Sequence, residues 1–427
     1  MKRLKLDLLV IGAGLSGLMA AYTAALSGWR VRVIAAGLGA LHWHAGTVDV
    51  FGYAPGVESP VRHPLAQARA LASTQPDHPY ALLAEGELAE AMTRFRRLSE
   101  EIGLPYGGGM EDENLLTPSP VGAVRPTFLA PRAQLAGDLR RSDPMLIVGF
   151  RGLRDFYPRL IADNLARQGH AARAAFLPLE VITARRDNFP VHLAQALDDP
   201  ARSKRLGEEV RKLVEPGERV GLPAILGLKA HSTCFAELEQ GAGAPIFEIP
   251  TLPPSVPGMR LFQALRSHLE GMGVSIEVGM EAIRFSADGR GRILWVETES
   301  SARPLRQRAE RYLLATGGIL GGGFDSDHTG RVWEVVFDLP LTLPQRRSQW
   351  LRPRFLDPAG QPVFRGGVLV DRHFQPVTAG GARVFANLWV AGGALAGTDS
   401  IAERSLEGVA IATGMAASER MHRRVDE

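Results

Sequence analysis

The tightest constraint on this chain lies at its start. Leu6 to Ile11 reads as a short strand, apolar except for Asp7, of the kind that sits in a parallel sheet covered on both faces. Gly12-Ala13-Gly14-Leu15-Ser16-Gly17 follows, a GxGxxG run, and Leu18 to Leu26 then carries the small and apolar residues of a packed helix ended by Gly28. A second strand is expected at Trp29 to Ile34. Strand, glycine turn, helix and strand occur in the order of the dinucleotide fingerprint, within one βαβ unit. Gly12 permits the tight turn, Gly14 lets backbone approach a pyrophosphate, and Gly17 allows helix to pack on strand. The helix N-terminus then offers N–H groups and a positive dipole end to the phosphates. The acidic residue that binds the adenosine ribose is expected to close the second strand, where Ala35 and Ala36 stand instead. Either another group takes the ribose, or the adenosine half is held weakly, or the ligand lacks one.

Two later strand ends repeat the glycine theme. Arg311 to Leu314 closes what reads as a strand meander over Val274 to Gly279, Ala282 to Phe285 and Arg292 to Thr298, and Ala315-Thr316-Gly317-Gly318 follows at once. Asn387 to Ala391 is another strand, followed by Gly392-Gly393 and then a helix over Glu403 to Met421. Ser400-Ile401-Ala402-Glu403 has capping-box spacing, with Ser405 as the alternative cap. If the ligand is a flavin, that helix N-terminus could face its pyrimidine edge and stabilise negative charge on the reduced ring.

Between these turns, helices are expected over Leu83 to Ile102, Tyr157 to Gln168 and Leu261 to Gly271, and in the region Asn188 to Val214. Strands are expected over Met145 to Val148, Ala171 to Thr183, Pro223 to Leu228 and Ile246 to Ile249. Tyr106 to Gly109 reads as a loop, and Thr251 to Gly258 as a rigid proline turn. The whole predicts an α/β fold: a Rossmann-like dinucleotide-binding domain of the two-dinucleotide flavoprotein type with an inserted α+β cap or substrate domain. The cofactor domain is expected at 1–55 plus 272–325 plus 367–427, and the insertion, for substrate or partner, at 56–271 plus 326–366.

Composition removes several alternatives. The single cysteine, Cys234, excludes an intrachain disulfide framework, a cysteine-rich zinc site and an iron–sulfur cluster held by this chain. With Lys plus Arg at 49 and Asp plus Glu at 46 the net charge is only +3, and no basic block interleaves with aromatics, so nucleic acid is not an expected partner. No run approaches the roughly 20 apolar residues that span a bilayer. Asp7 before the first apolar run and glycines right after it fit a buried strand rather than a signal peptide. A cytoplasmic protein is expected, one that can still dock on a membrane-bound partner. No HExxH, GxSxG, P-loop or paired-carboxylate pattern occurs, His231 beside Cys234 makes no convincing site, and no metal is expected.

The chain resembles the B subunits of the anaerobic glycerol-3-phosphate dehydrogenases, within the fumarate-reductase-like flavoproteins. The matching segments are Ala40-Leu41-His42 with Gly46-Thr47-Val48-Asp49, His78 to Leu83, Thr117-Pro118 with Val124 to Thr127, Val148 to Phe156, Pro250 to Arg260, Ala315 to Gly323 and Asn387 to Gly392. They span almost the whole chain, and TLPPSVPGMR is the most specific of them. The resemblance implies a cytoplasmic flavoprotein paired with a catalytic flavoprotein, the A subunit. An iron–sulfur membrane-anchor protein, the C subunit, then ties the pair to the membrane and the quinone pool, and the assembly oxidises sn-glycerol 3-phosphate to dihydroxyacetone phosphate. The family is described as FMN-binding, whereas the glycine motif favours FAD, so both flavins stay open. Two departures stand out: Ala402 to Gly408 replaces a glycine-rich run with bulky and charged residues, and Gly393 sits where broader relatives carry an acid for the ribityl chain.

Oxidising a secondary alcohol calls for a base and a flavin hydride acceptor. His42 and His44, just beyond the second strand, are the candidate catalytic residues. The cofactor-binding candidates are Gly12, Ala13, Gly14, Leu15, Ser16, Gly17, Thr316, Gly317, Gly392 and Gly393. For a phosphorylated substrate the candidates are Arg125, Arg151, Arg154 and Arg260, since arginine grips phosphate bidentately. Two functions compete: an oxidoreductase subunit, or a non-catalytic flavin-fold adaptor of a membrane-associated dehydrogenase complex.

Overall fold

The computed structural model describes residues 6–184, 189–299, 303–354 and 357–423. The chain forms two compact units. One draws on residues up to Ala40, on Asp49–Phe95, and on those from Leu265 onward; the other comprises Leu41–Val48 and Arg96–Ala264. Residues 56–95 and 326–366, expected in the insertion, thus belong to the first unit. They follow turn-rich sequence with no apolar stretch to mark which core receives them.

The first unit is built on a five-stranded parallel sheet. Across it run Ser275–Val278, Val31–Ala35, Leu6–Ile11, Ala309–Leu314 and Leu388–Val390. Leu8, Leu9 and Val10 in the central strand are wholly buried, worth about 1.5–3 kcal/mol per side chain. The helix Leu15–Leu26 returns over the sheet, and all but two of its residues are buried. It packs against the last helix, Leu406–Arg423, at a close crossing: a Cβ on Gly414 would stand 2.4 Å from the Ser16 carbonyl oxygen. The expected meander divides. Ser275–Val278 and Ala309–Leu314 join the parallel sheet, and only Ala282–Ala287, Ile293–Thr298 and Leu305–Gln307 pair antiparallel. Strand alternation is the same in both settings, so local pattern cannot tell them apart.

The second unit holds its own parallel sheet, with strands Met145–Arg151, Ala172–Pro178, Arg219–Pro223 and Ile246–Ile249. Spatially they run fourth, third, first, second in chain order, a doubly wound arrangement. Helices Pro200–Arg211 and His231–Ala242 meet at Gly207 and Gly241, where a Cβ on Gly207 would come within 2.9 Å of the Gly241 Cα.

Several expected elements shift. The Pro223 to Leu228 strand is in fact Arg219–Pro223, and the apolar residues after it form a buried loop. Tyr106–Gly108, expected as loop, is a strand paired with Leu129–Pro131. The helix expected at Leu261 begins at Val256, because Pro257 falls in its first turn, where no N–H is needed, and Ser255 Oγ accepts from the Gly258 N–H (3.1 Å). Asn188, the expected start of the helical region, lies outside the described residues; the helices there are Pro190–Ala196 and Pro200–Arg211.

Candidate functional site: a glycine-lined sheet edge

Three neighbouring strands of the first unit end side by side, and each runs directly into one of the glycine turns singled out from the sequence. Gly12 takes φ +118°, and a Cβ there would stand 2.2 Å from the Ala315 carbonyl oxygen. A Cβ on Gly17 would be 2.0 Å from the Gly12 oxygen, and one on Gly392 (φ +72°) 2.6 Å from Ser16 Cβ. Gly318 is equally tight against the Gly393 oxygen, at 2.4 Å. These four glycines are bare so that the chain can meet itself. Gly14 differs: its φ is an ordinary −73°, and nothing lies within 4 Å of where its Cβ would be. Its face is open to an incoming ligand.

Gly14 is also the N-cap of the helix Leu15–Leu26. No side chain caps that end, no acidic residue lies in its first turn, and the first helical bond is Leu18 N–H to the Gly14 carbonyl (3.0 Å). The N–H groups of Leu15, Ser16 and Gly17 precede that bond and form an anion-binding end. Two buried hydroxyls at the turns, Ser16 Oγ and Thr316 Oγ1, have no hydrogen-bond partner among the described residues. A buried polar atom left in this state costs about 1–3 kcal/mol, so phosphate or ribityl oxygens fit there. The residues present therefore suit a flavin nucleotide held along Gly12 to Gly17, Thr316-Gly317 and Gly392-Gly393. At the end of the second strand the Ala35 carbonyl accepts from the N–H groups of Gly279 and Met280, while Glu277 on the next strand pairs with Arg32 (3.3 Å).

The charged run after the third turn points inward. Asp399, not Ser400, caps the short helix Ser400–Glu403 by accepting from the Ala402 N–H (3.1 Å). Glu403 is almost completely buried, and its Oε2 accepts from His78 Nε2 (3.2 Å), Thr398 Oγ1 (2.8 Å) and Ser405 Oγ (3.2 Å). His78 Nδ1 accepts from the Tyr80 N–H, which leaves Nε2 as the donor. Burial pushes the Glu403 carboxyl up, but hydrogen bonds from His78, the Thr398 hydroxyl and the Asp399 N–H hold it below the ordinary carboxylate range. Glu407 likewise turns in, accepting from the Asp49 N–H (3.3 Å). The departures at Glu403 and Glu407 are thus internal ties, a role invisible while His78 and Asp49 lay more than 300 residues away in sequence.

The remaining candidates lie in the second unit. His42 packs edge-on to Phe262, and His44 Nδ1 accepts from the Gly46 N–H (2.8 Å). Arg151, at the end of the strand Met145–Arg151, and Arg154 just beyond it are exposed, and Arg125 is buried in the strand Val124–Thr127. Arg260 departs from its expected role. Its guanidinium grips Glu248 through both terminal nitrogens (2.7 and 2.8 Å) and donates Nε–H to the Gly227 carbonyl (2.6 Å), all buried. A lone buried carboxylate on the adjacent strand demanded that cation. Sequence reading also missed Asp198, whose Oδ1 accepts from three successive N–H groups, Leu228, Lys229 and Ala230 (2.8–2.9 Å). Burial pushes the Cys234 thiol up to about 12, and burial with the nearby Arg260 brings His231 down to about 4. Neither thiolate nor imidazolium is at hand for chemistry near neutrality.

A parallel sheet whose edge is opened by glycine turns, with an uncapped helix aimed at it, defines a nucleotide-binding flavoprotein. The chain belongs to the FAD binding domain family, whose model matches residues 7–408, and it is a flavin-dependent oxidoreductase subunit. It is 31% identical over 425 residues to the anaerobic glycerol-3-phosphate dehydrogenase B subunit of Pectobacterium carotovorum, covering 98% of this chain and 99% of the relative. A probable B subunit of the same enzyme from Halobacterium salinarum is 33% identical over 423 residues, 96% of each chain. A flavocytochrome c3 fumarate reductase in its open conformation superposes with a TM-score of 0.46 at 11% identity, over 99% of this chain and 79% of that one. Among the described residues no helix is long and apolar enough to cross a membrane.

Proposed function

We propose that this chain is the B subunit of a quinone-linked glycerol-3-phosphate dehydrogenase, contributing to oxidation of sn-glycerol 3-phosphate to dihydroxyacetone phosphate with electrons passed towards the quinone pool. The observation that carries this reading is the end-to-end likeness to relatives of that name, at 31–33% identity over 96–98% of the chain. In this reading it works in the cytoplasm beside a separate catalytic flavoprotein, and an iron–sulfur membrane anchor holds both at the bilayer. The first unit serves as cofactor domain and the second as substrate or partner domain.

A bound flavin supplies the two-electron acceptor. The hydroxyl proton needs a base, and of the two histidines His42 is the better choice. His44 Nδ1 already accepts a hydrogen bond, so neutral His44 carries its proton on Nε2 and its lone pair is engaged by the Gly46 N–H. Arg125, Arg151 and Arg154 remain the candidates for the substrate phosphate. The test is to load the purified chain with FAD, identify the flavin released by acid, and add glycerol 3-phosphate without oxygen, with and without the partner subunits. Bleaching of the flavin supports the reading, and His42→Gln is then expected to slow turnover roughly 10²–10⁴-fold. A chain that holds flavin but never bleaches, even in the assembled complex, is the non-catalytic adaptor instead.

A further inference from the structure

The second strand, Val31–Ala35, ends without the acid that the adenosine ribose of a dinucleotide ordinarily meets. The residues that follow do not supply one, for from Ala35 to Ala40 the chain carries only alanine, glycine and leucine. This segment passes back over the pyrophosphate end, since a Cβ on Gly39 would stand 3.4 Å from the Gly14 Cα. A side-chain partner for the ribose therefore has to come from a strand beside Val31–Ala35. There are two such strands. Leu6–Ile11 ends in the glycine turn itself, which leaves Ser275–Val278 on the outer side.

Ser275–Val278 runs parallel to the second strand, with Val278 opposite Ala35. Beyond Val278 the chain folds over the end of that strand. Gly279 takes φ +87°, and the N–H groups of Gly279 and Met280 both donate to the Ala35 carbonyl (2.8 and 2.9 Å). Glu281 is the next residue, and its backbone is fixed on the far side too, where its carbonyl accepts from the Glu299 N–H (2.8 Å). Its side chain is exposed, and among the described residues its carboxylate has neither hydrogen bond nor ion pair. Glu277, the acid within this strand, is occupied by Arg32 (3.3 Å) and by the Ser275 hydroxyl (3.1 Å). All of these residues belong to the first unit.

We propose that Glu281 is the ribose-binding acid of this chain: it stands one strand over from the usual place and accepts hydrogen bonds from the adenosine ribose hydroxyls of FAD. The inference rests on the flavin assignment and deepens it, because a site with this acid selects FAD over FMN.

The test is titration of the flavin-free full chain with FAD and with FMN, followed by flavin fluorescence, in the wild type, Glu281→Ala and Glu299→Ala. Loss of hydrogen bonds to a carboxylate should weaken FAD binding roughly ten- to a hundredfold in Glu281→Ala. FMN has no adenosine, so its affinity should not fall. Through-space electrostatics has the opposite sign, since removing a negative charge favours any phosphate-bearing ligand. Glu299→Ala removes the same charge from the neighbouring position and should weaken neither flavin. Equal weakening of FAD and FMN, unchanged FAD affinity in Glu281→Ala, or the same FAD loss from Glu299→Ala overturns the proposal. A wild-type chain that binds FMN as tightly as FAD overturns it as well and leaves the flavin assignment standing. A wild-type chain that takes up neither flavin overturns both.

Discussion

The two parallel sheets of this protein solve the same problem in opposite ways. Each ends its strands in loops that lead towards helix N-termini, where backbone N–H groups lack helical partners. In the first unit those ends are bare: Gly14 faces open space, the helix behind it has no side-chain cap, and Ser16 and Thr316 hydroxyls have no hydrogen-bond partner among the described residues. In the second unit the chain fills them itself. Asp198 takes three N–H groups before the helix His231–Ala242, and Glu248 takes the Leu226 N–H while gripping Arg260. The contrast teaches that a doubly wound sheet is not in itself a nucleotide site. The site exists where side chains have been withdrawn, and is closed where a carboxylate stands in the anion's place.

Substitution can sharpen or break this contrast. The largest effect is expected at Gly12, where alanine meets both a positive φ and backbone 2.2 Å away. Gly12→Ala should cost roughly 4 kcal/mol or more, seen as a large fall in thermal midpoint together with loss of flavin. Arg260→Ala comes next. It strands the buried Glu248 carboxylate and should cost about 3–5 kcal/mol in denaturant unfolding, while the chain that remains folded still takes up flavin. Should flavin uptake vanish while the fold survives, Arg260 belongs to a binding site after all.

Gly14→Ala separates structure from function more finely. Its backbone suits alanine and no atom is in the way, so stability should change by less than about 1 kcal/mol while FAD binding weakens roughly tenfold, about 1.4 kcal/mol. Unchanged FAD affinity, measured by fluorescence titration, would mean that the open face is not where the pyrophosphate lies. A further effect is one of pH. His231 falls from 6.5 to about 4 in the folded chain, so the unfolded chain binds its proton first. Stability should therefore decline as pH drops from about 6.5 towards 4, and His231→Gln should flatten that slope in unfolding curves.

The N-terminal βαβ unit was legible almost residue for residue. Leu6–Ile11 is a strand as expected, and the helix and second strand lie within a few residues of their expected bounds. That signal is local: an apolar strand, glycines where the backbone must turn, and a helix of small residues. Glu403 and Arg260 were illegible for the complementary reason. Each looked available in sequence, and each is tied to a partner that the fold brings in: His78 lies 325 residues from Glu403, and Glu248 holds Arg260 from the neighbouring strand.

By itself the sequence determined that this chain carries a glycine-opened nucleotide fold with three candidate turns, because glycine requirements and strand or helix periods are set within a few residues. Only the tertiary structure decided that the three turns lie side by side on one sheet edge, and that a second sheet of similar topology is closed by its own carboxylates. Strand order and the pairing of buried groups depend on contacts that reach from 12 residues, for Glu248 and Arg260, to 325, for His78 and Glu403. No local pattern specifies which strand lies beside which, or which carboxylate a buried cation will meet.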